Sequence, residues 1–342
     1  MNFLKKIKQN NYLYIGSVCL NIILVFFLVY HLFYAGEIYK SIKFSREVNT
    51  NYKFINPILD CEDNNTDSSH IIMYSKINNF TDELLKKYNL KSASIYYRDL
   101  NNGPWYGYNE KTYFSPASLV KLPVMIALLR YSEDNNSILN KMVKISQSDI
   151  DAALPQNIKS DNILEAGKEY SMKELMNYMI KDSDNVAFNV IKNNFPSQKY
   201  INDTFKQIGV DTQNDGAELI IRTKDYAGFF RVLYNASYLS KSNSELALNI
   251  LSETNFKDGL VALLPNNVVV SHKFGERSFD GNGLSSDSNI EDGTKQLHDC
   301  GIVYSKDDPY ILCVMTRGSD FKDQESFIKD ISHYIYGSVV GR

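Results

Sequence analysis

Three short stretches carry residues whose types and spacing suit acyl transfer. The first is Phe114-Ser-Pro-Ala-Ser118-Leu-Val-Lys121-Leu-Pro. Pro116 presets a turn, and Leu122, Val124, Met125, Ala127, Leu128 and Leu129 follow at helical spacing, so the turn runs straight into a helix. Ser118 and Lys121 then share a face, an amine beside a hydroxyl. A serine hydroxyl attacks only when a base takes its proton, and a lysine is a base only when its pKa is pulled down. Desolvation on a buried turn, with other cations nearby, does that. The second stretch is Lys181-Asp-Ser183-Asp184-Asn185, a polar loop between two helical patterns. The third is His272-Lys273-Phe274-Gly275, at the end of an apolar strand pattern. Taken singly, each has a plain structural reading as a helix cap, a turn or a solvated lysine.

The elements that must position these residues follow from periodicity. Ile71 to Tyr88 has helical spacing, and Ala93–Arg98 and Trp105–Tyr108 read as two strands joined by the turn Asn101-Asn-Gly103-Pro104. Helices dominate from Ser118 to about Thr254, one opening on the capping box Ser171-Met-Lys-Glu174 and another near Thr223. Strands return at 267–273, 301–304 and 310–316, and an amphipathic helix with Phe321, Phe327, Ile328, Ile331, Tyr334 and Ile335 closes the chain. The expected fold is α/β (α+β): one antiparallel sheet built from both chain ends, flanked by the first and last helices, with an all-α lobe inserted between them. The seam between sheet and lobe is where the three stretches should meet.

Ser-x-x-Lys, then Ser-Asp-Asn, then Lys-x-Gly, in this order, resembles the class A β-lactamases and the related penicillin-binding peptidases. The resemblance covers about residues 70–340, and its surroundings agree: a hairpin before the serine, Ser-Asp-Asn-x-Ala at a helix start, Gly-Ile-Val-Tyr in the strand after the lysine, and a C-terminal helix. It implies that Ser118 is acylated, with Lys121 as general base or as the electrostatic support of one. It implies that the backbone N–H groups of Ser118 and Glu276, the residue after Gly275, stabilise the oxyanion. Ser183 would protonate the departing nitrogen beside Lys273, and Asn185 would bind the substrate's amide side chain; Asp184 would tie the loop together. The implied substrates are a β-lactam or a cell-wall D-alanyl peptide, each with a carboxylate next to an activatable amide.

Two departures qualify the resemblance. Phe274 stands where the family usually has Thr or Ser, whose hydroxyl helps bind the substrate carboxylate; His272 and Lys273 compensate in part. The family's Glu-x-x-x-Asn, whose glutamate directs the deacylating water, has no clear counterpart. Between Asn185 and Thr223 the acids are Asp203, Asp211, Asp215 and Glu218, and Arg222 stands four residues after Glu218. Glu218 is expected to be a surface or structural carboxylate, so acylation is expected to outrun deacylation. The alternative function is a non-catalytic penicillin- or peptidoglycan-binding sensor or scaffold.

The remaining sequence sets the context. Residues 1–12 carry Lys5, Lys6 and Lys8 and no acid, and 13–35 form an almost unbroken apolar run of about 23 residues, long enough to cross a bilayer. The reading is a cytoplasmic N-terminus at 1–12, a single-pass anchor at 13–35, an extracytoplasmic Asn-rich stalk at 36–69 with at most short structure, docked by Ile55, Ile58 and Leu59, and the catalytic domain at 70–342. The net charge of −3 over 342 residues gives no footprint for nucleic acid. Four cysteines are too few for a disulfide scaffold; Cys300 and Cys313 lie roughly opposite each other on two strands, where free buried thiols are expected over a bridge. His298-Asp299-Cys300 superficially suggests a metal or a thiol nucleophile, but no second ligand cluster accompanies it, so neither metal nor other cofactor is expected. Oligomeric state has no signature in the sequence.

Overall fold

The computed structural model describes residues 21, 24, 25, 40–46, 52–65, 69–101, 103–160, 162–215, 218–279, 293–306 and 308–340. The chain runs through β1 (Lys40–Arg46), β2 (Ile58–Asn65), α1 (Ser69–Lys87), β3 (Ser92–Asp99), β4 (Trp105–Tyr108) and β5 (Tyr113–Phe114). A 3-10 turn (Ala117–Val120) leads into α2 (Lys121–Asp134), followed by β6 (Met142–Lys144), α3 (Gln147–Asp151) and β7 (Glu169–Ser171). Then come α4 (Met172–Lys181), α5 (Asn185–Asn193), α6 (Ser197–Ile208), β8 (Thr212–Asp215), β9 (Glu218–Arg222), α7 (Thr223–Tyr234) and α8 (Lys241–Ser252). The chain closes with β10 (Val269–Phe279), β11 (Thr294–Tyr304), β12 (Tyr310–Gly318) and α9 (Phe321–Val340).

The central sheet has the order β10-β11-β12-β3-β4 with every pair antiparallel, so both ends of the chain build it, as expected. Strand β3 is buried on both faces, which is why its apolar residues run together instead of alternating. Ile95 and Tyr97 join Ile77 and Leu84 of α1 and Phe327, Ile328, Ile331 and Ile335 of α9 in one core. Tyr96 faces the other way, into a second core with α2, α4, α5, α7 and α8. Helix α2 is apolar all round, with Leu122 through Leu129 buried, the pattern of a helix enclosed by its neighbours. The capping box at Ser171 forms as expected and starts α4.

The structure departs from the sequence reading in three places. Strand β10 runs to Phe279, so Lys273-Phe274-Gly275 sits inside a strand and not at its end. The lobe carries two small antiparallel ladders, β5-β9-β8 and β6-β7, among its helices. Cys300 stands directly opposite Cys313 in the β11–β12 register, and the two are joined as a disulfide, not left as free thiols. Within the segment expected as a stalk with at most short structure, β1 and β2 pair antiparallel, and Ile55 docks against the second core as expected, with Phe54 beside it. Glu245 of α8 accepts hydrogen bonds from the backbone N–H groups of Lys53, Phe54 and Ile55 at 2.7, 2.9 and 3.0 Å.

Asn21, Leu24 and Val25 are helical, and the rest of the expected 13–35 span lies outside the described residues, as does the expected cytoplasmic N-terminus at 1–12. Among the described residues no helix is long and apolar enough to cross a membrane.

Candidate active site

The turn that carries Ser118 is held from below and from one side. Ala117 adopts φ +48°, a left-handed conformation that a non-glycine residue keeps only when its surroundings impose it. Below the turn, His298 of β11 is fully buried; its Nε2 donates to Ser115 O at 2.9 Å and its Nδ1 accepts from Thr316 N at 3.2 Å. Burial pushes the His298 pKa down to about 4, so the ring is neutral, with its proton on Nε2. Beside the turn runs β10. A Cβ placed on Gly275 would stand 2.9 Å from both Leu119 N and Pro116 O. The glycine of Lys-Phe-Gly is therefore required by close backbone approach.

From that turn, Ser118 and Lys121 meet as the spacing predicts. Lys121 Nζ lies 2.8 Å from Ser118 Oγ, 2.7 Å from Asn185 Oδ1 and 3.2 Å from Ser183 Oγ, and it also donates to Ser183 O. Only 1% of Lys121 is exposed. Burial pulls its pKa down to about 7, against the opposing pull of Asp184 and Glu276. A neutral amine has two protons and one lone pair. Asn185 Oδ1 and Ser183 O are obligate acceptors and take the two protons, which leaves the lone pair for the Ser118 hydroxyl.

The second stretch enters between α4 and α5. Ser183 sits at φ +54° and is 1% exposed, with Oγ aimed at both lysines. Lys273 Nζ donates to it at 2.9 Å and to Phe274 O at 2.7 Å. Lys273 is fully buried, and burial, with the Lys121 charge added, holds its pKa well below the usual lysine range. Asp184 does not face the reaction centre: its Oδ1 accepts from Ala187 N at 2.6 Å and caps α5. Asn185 has both ends of its amide in use, the Oδ1 on Lys121 and the Nδ2 donating to Leu154 O at 2.8 Å.

Strand alternation sorts the third stretch. Lys273 and Gly275 face the Ser118 turn. His272 faces away and bonds Asp299 through Nδ1 at 2.8 Å, so it does not share in substrate recognition as expected. Phe274 is 3% exposed and stacks on Phe256 at 4.5 Å between centroids, with Lys273 Nζ 4.2 Å from its ring. The side chain of Glu276 does something the sequence reading missed. Its Oε1 accepts from Asn157 N at 2.8 Å and Ile158 N at 2.9 Å. The 154–160 segment thus runs from Asn185 (through Leu154 O) past Ser183, whose O accepts from Gln156 Nε2 at 2.8 Å, to Glu276 on the sheet. The one hint in the sequence is an acid directly after Lys-Phe-Gly.

His298, Asp299 and Cys300 are each committed structurally, to Ser115 O, to His272 and to Cys313. Glu218 opens β9 opposite Asp215 at a hairpin tip. Arg222, four residues on, pairs with Asp211 at 3.0 Å and with Asp225. Among the described residues, no carboxylate is hydrogen-bonded to Ser118 or Lys121.

Comparisons with known proteins identify the family and match the fold. The family model of the Beta-lactamase enzyme family matches residues 74–339. A beta-lactamase of Bacteroides uniformis is 26% identical over 260 residues, covering 70% of this chain and 83% of that one. Among solved structures, a beta-lactamase of Chitinophaga pinensis superposes with a TM-score of 0.66 at 20% identity, over 77% of this chain and 99% of its own. A class A beta-lactamase of Bacteroides cellulosilyticus gives 0.66 at 20%, over 79% and 99%. A point mutant of PBP-A, in an acyl-enzyme complex with penicillin G, gives 0.63 at 19%, over 78% and 97%. The fold and the family match define a serine hydrolase of the β-lactamase-like class. The chain belongs to the Beta-lactamase enzyme family.

Proposed function

We propose that this protein is a membrane-anchored, extracytoplasmic serine hydrolase that forms an acyl-enzyme through Ser118 with a β-lactam or a cell-wall D-alanyl peptide and releases it slowly. The observation that carries the reading is the placement of Lys121 Nζ, 2.8 Å from Ser118 Oγ with obligate acceptors on its other sides. In the proposed reaction, Ser118 Oγ bonds to the carbonyl carbon and its proton passes to Lys121. The oxyanion is met by the N–H groups of Ser118 and Glu276. The C–N bond then breaks, and the nitrogen takes its proton from Ser183 Oγ, which is replenished through the lysines that share that oxygen. Asn185 holds Lys121 in place, and Gly275 lets β10 approach the Ser118 turn. Hydrolysis of the ester needs a water held by a base, and the absence of a carboxylate on Ser118 or Lys121 among the described residues supports slow release.

The apolar run 13–35 supports a single-pass anchor, and the Cys300–Cys313 disulfide supports a catalytic domain outside the reducing cytoplasm. The test is labelling of the full chain with a fluorescent penicillin. A covalent band that vanishes in Ser118→Ala supports the reading; saturable but non-covalent binding replaces it with a sensor.

A further inference from the structure

A cavity that the proposed reaction does not use opens at the sheet edge opposite β10. It measures about 250 Å³ and lies between the β3–β4 edge of the sheet, the start of α7 and the turn after α6. Strand β10, which carries Lys273, is the opposite edge of the same sheet. Four interstrand steps separate the two edges, about 19 Å.

Its walls are cationic and aromatic. Arg98 of β3 and Lys224 and Arg231 of α7 line it. Among the described residues neither guanidinium has a hydrogen-bond or ion-pair partner; the bonds of Arg98 and Arg231 are backbone ones. The one carboxylate in the lining, Asp225, is committed to Arg222. Partial burial and the neighbouring Arg98 charge hold the Arg231 guanidinium below its usual range, so the two cations stand close enough to repel. Two like charges without a counter-charge destabilise the fold unless something else gains from them. The aromatic wall is Trp105, 41% exposed, stacked on Tyr96 with 5.7 Å between centroids and with Lys224 Nζ 4.0 Å from its ring. Ala227 and Gly228 give the floor its room, and a Cβ on Gly228 would meet nothing closer than Val210 at 3.9 Å.

We infer that this cavity is a binding site for a small organic oxyanion, a phosphate or carboxylate group carried on a flat ring. The anion sits between Arg98 and Arg231, whose planar forks suit two-oxygen recognition, and the ring lies on Trp105. Lys224 stands over that indole and closes the rim.

Trp105 is the only tryptophan in the chain, so its emission reports on this wall alone. The test is a titration of the full chain in detergent with phenyl phosphate, benzoate, inorganic phosphate and phenol, following tryptophan emission. The expected result is a saturable change with phenyl phosphate or benzoate, with inorganic phosphate about tenfold weaker for want of the ring and phenol giving no saturation. Arg98→Gln and Arg231→Gln should each weaken binding about tenfold, while Ser118→Ala leaves it unchanged. Unaltered penicillin labelling shows that the arginine variants are folded. No saturable change with either ring-bearing anion, or a change that both folded arginine variants retain in full, overturns the assignment.

Discussion

Lys121 and Lys273 converge on one oxygen: Ser183 Oγ lies 3.2 Å from the first amine and 2.9 Å from the second. Two ammonium groups that share a buried hydroxyl do not both stay charged easily, so the pair titrates as a unit. The hydroxyl between them is also the one best placed to pass a proton from one side of the site to the other.

The first prediction is the pH dependence of acylation. The Lys121 pKa is held down to about 7 by burial, so the base-competent fraction grows as pH rises through 7. The acylation rate constant with a penicillin should therefore climb about tenfold per pH unit below that value and level off above it. Lys121→Met should lower the plateau by at least about a hundredfold and remove the inflection. The same shift bears on stability. Between about 7 and the ordinary lysine pKa of 10.5, the unfolded chain binds more protons at this site than the folded one, so Lys121 makes stability rise with pH across that window. Stopped-flow labelling and denaturant melts at several pH values check both signs.

A second prediction concerns His298, whose folded pKa of about 4 lies below its ordinary value of 6.5. The unfolded chain takes up this proton first as pH falls from 6.5 to 4, so stability drops across that interval by up to about 3 kcal/mol from this group. His298→Asn should flatten that part of the stability curve relative to the parent. It should also slow acylation, because Ser115 O loses its anchor three residues before the nucleophile. Melts at pH 4.5 and 6.5 in both proteins give the difference directly.

Phe274 gives a third. Its ring is buried against Phe256 and stands beside Lys273, so a threonine there would put a hydroxyl next to that amine. Phe274→Thr should lose about 3 kcal/mol of stability for the buried ring yet acylate faster with a carboxylate-bearing penicillin than the parent does. A thermal melt beside a labelling time course reads the two opposing effects.

Glu276 gives a fourth. Its carboxylate is the sheet-side attachment of the segment that runs past Ser183. Glu276→Ala should release Asn157 and Ile158 and lower stability by about 2 kcal/mol. Acylation should quicken more for penicillins with bulky side chains than for small ones. Equal effects on both classes would show that the segment does not limit access.

Much of this was legible in the sequence because it is local. Ser118 and Lys121 lie one turn apart, Ser183 to Asn185 are contiguous, and Lys273 and Gly275 share one strand, so each piece carries its own signal. The strands at both ends of the chain announced the sheet that joins them. What stayed hidden depends on distant partners or on exact register. Glu276 meets backbone N–H groups more than a hundred residues away. His298 reads as part of a metal-like trio until β11 passes beneath Ser115. Cys300 faces Cys313 only in one register, and a slip of one residue would send them to opposite faces. The Thr212–Asp215 strand is polar throughout and shows no alternation to read.

On this reading Lys121 makes the Ser118 hydroxyl reactive, while among the described residues no carboxylate bonds either group to hasten release of the ester. The intact mass of the full chain, followed over time after mixing with benzylpenicillin, tests this most directly. The expected result is a gain of one penicillin mass within the mixing period, its persistence long after free drug is removed, and its absence in Ser118→Ala. An unmodified mass throughout, or an adduct that clears as fast as it forms while the drug is consumed, would contradict it.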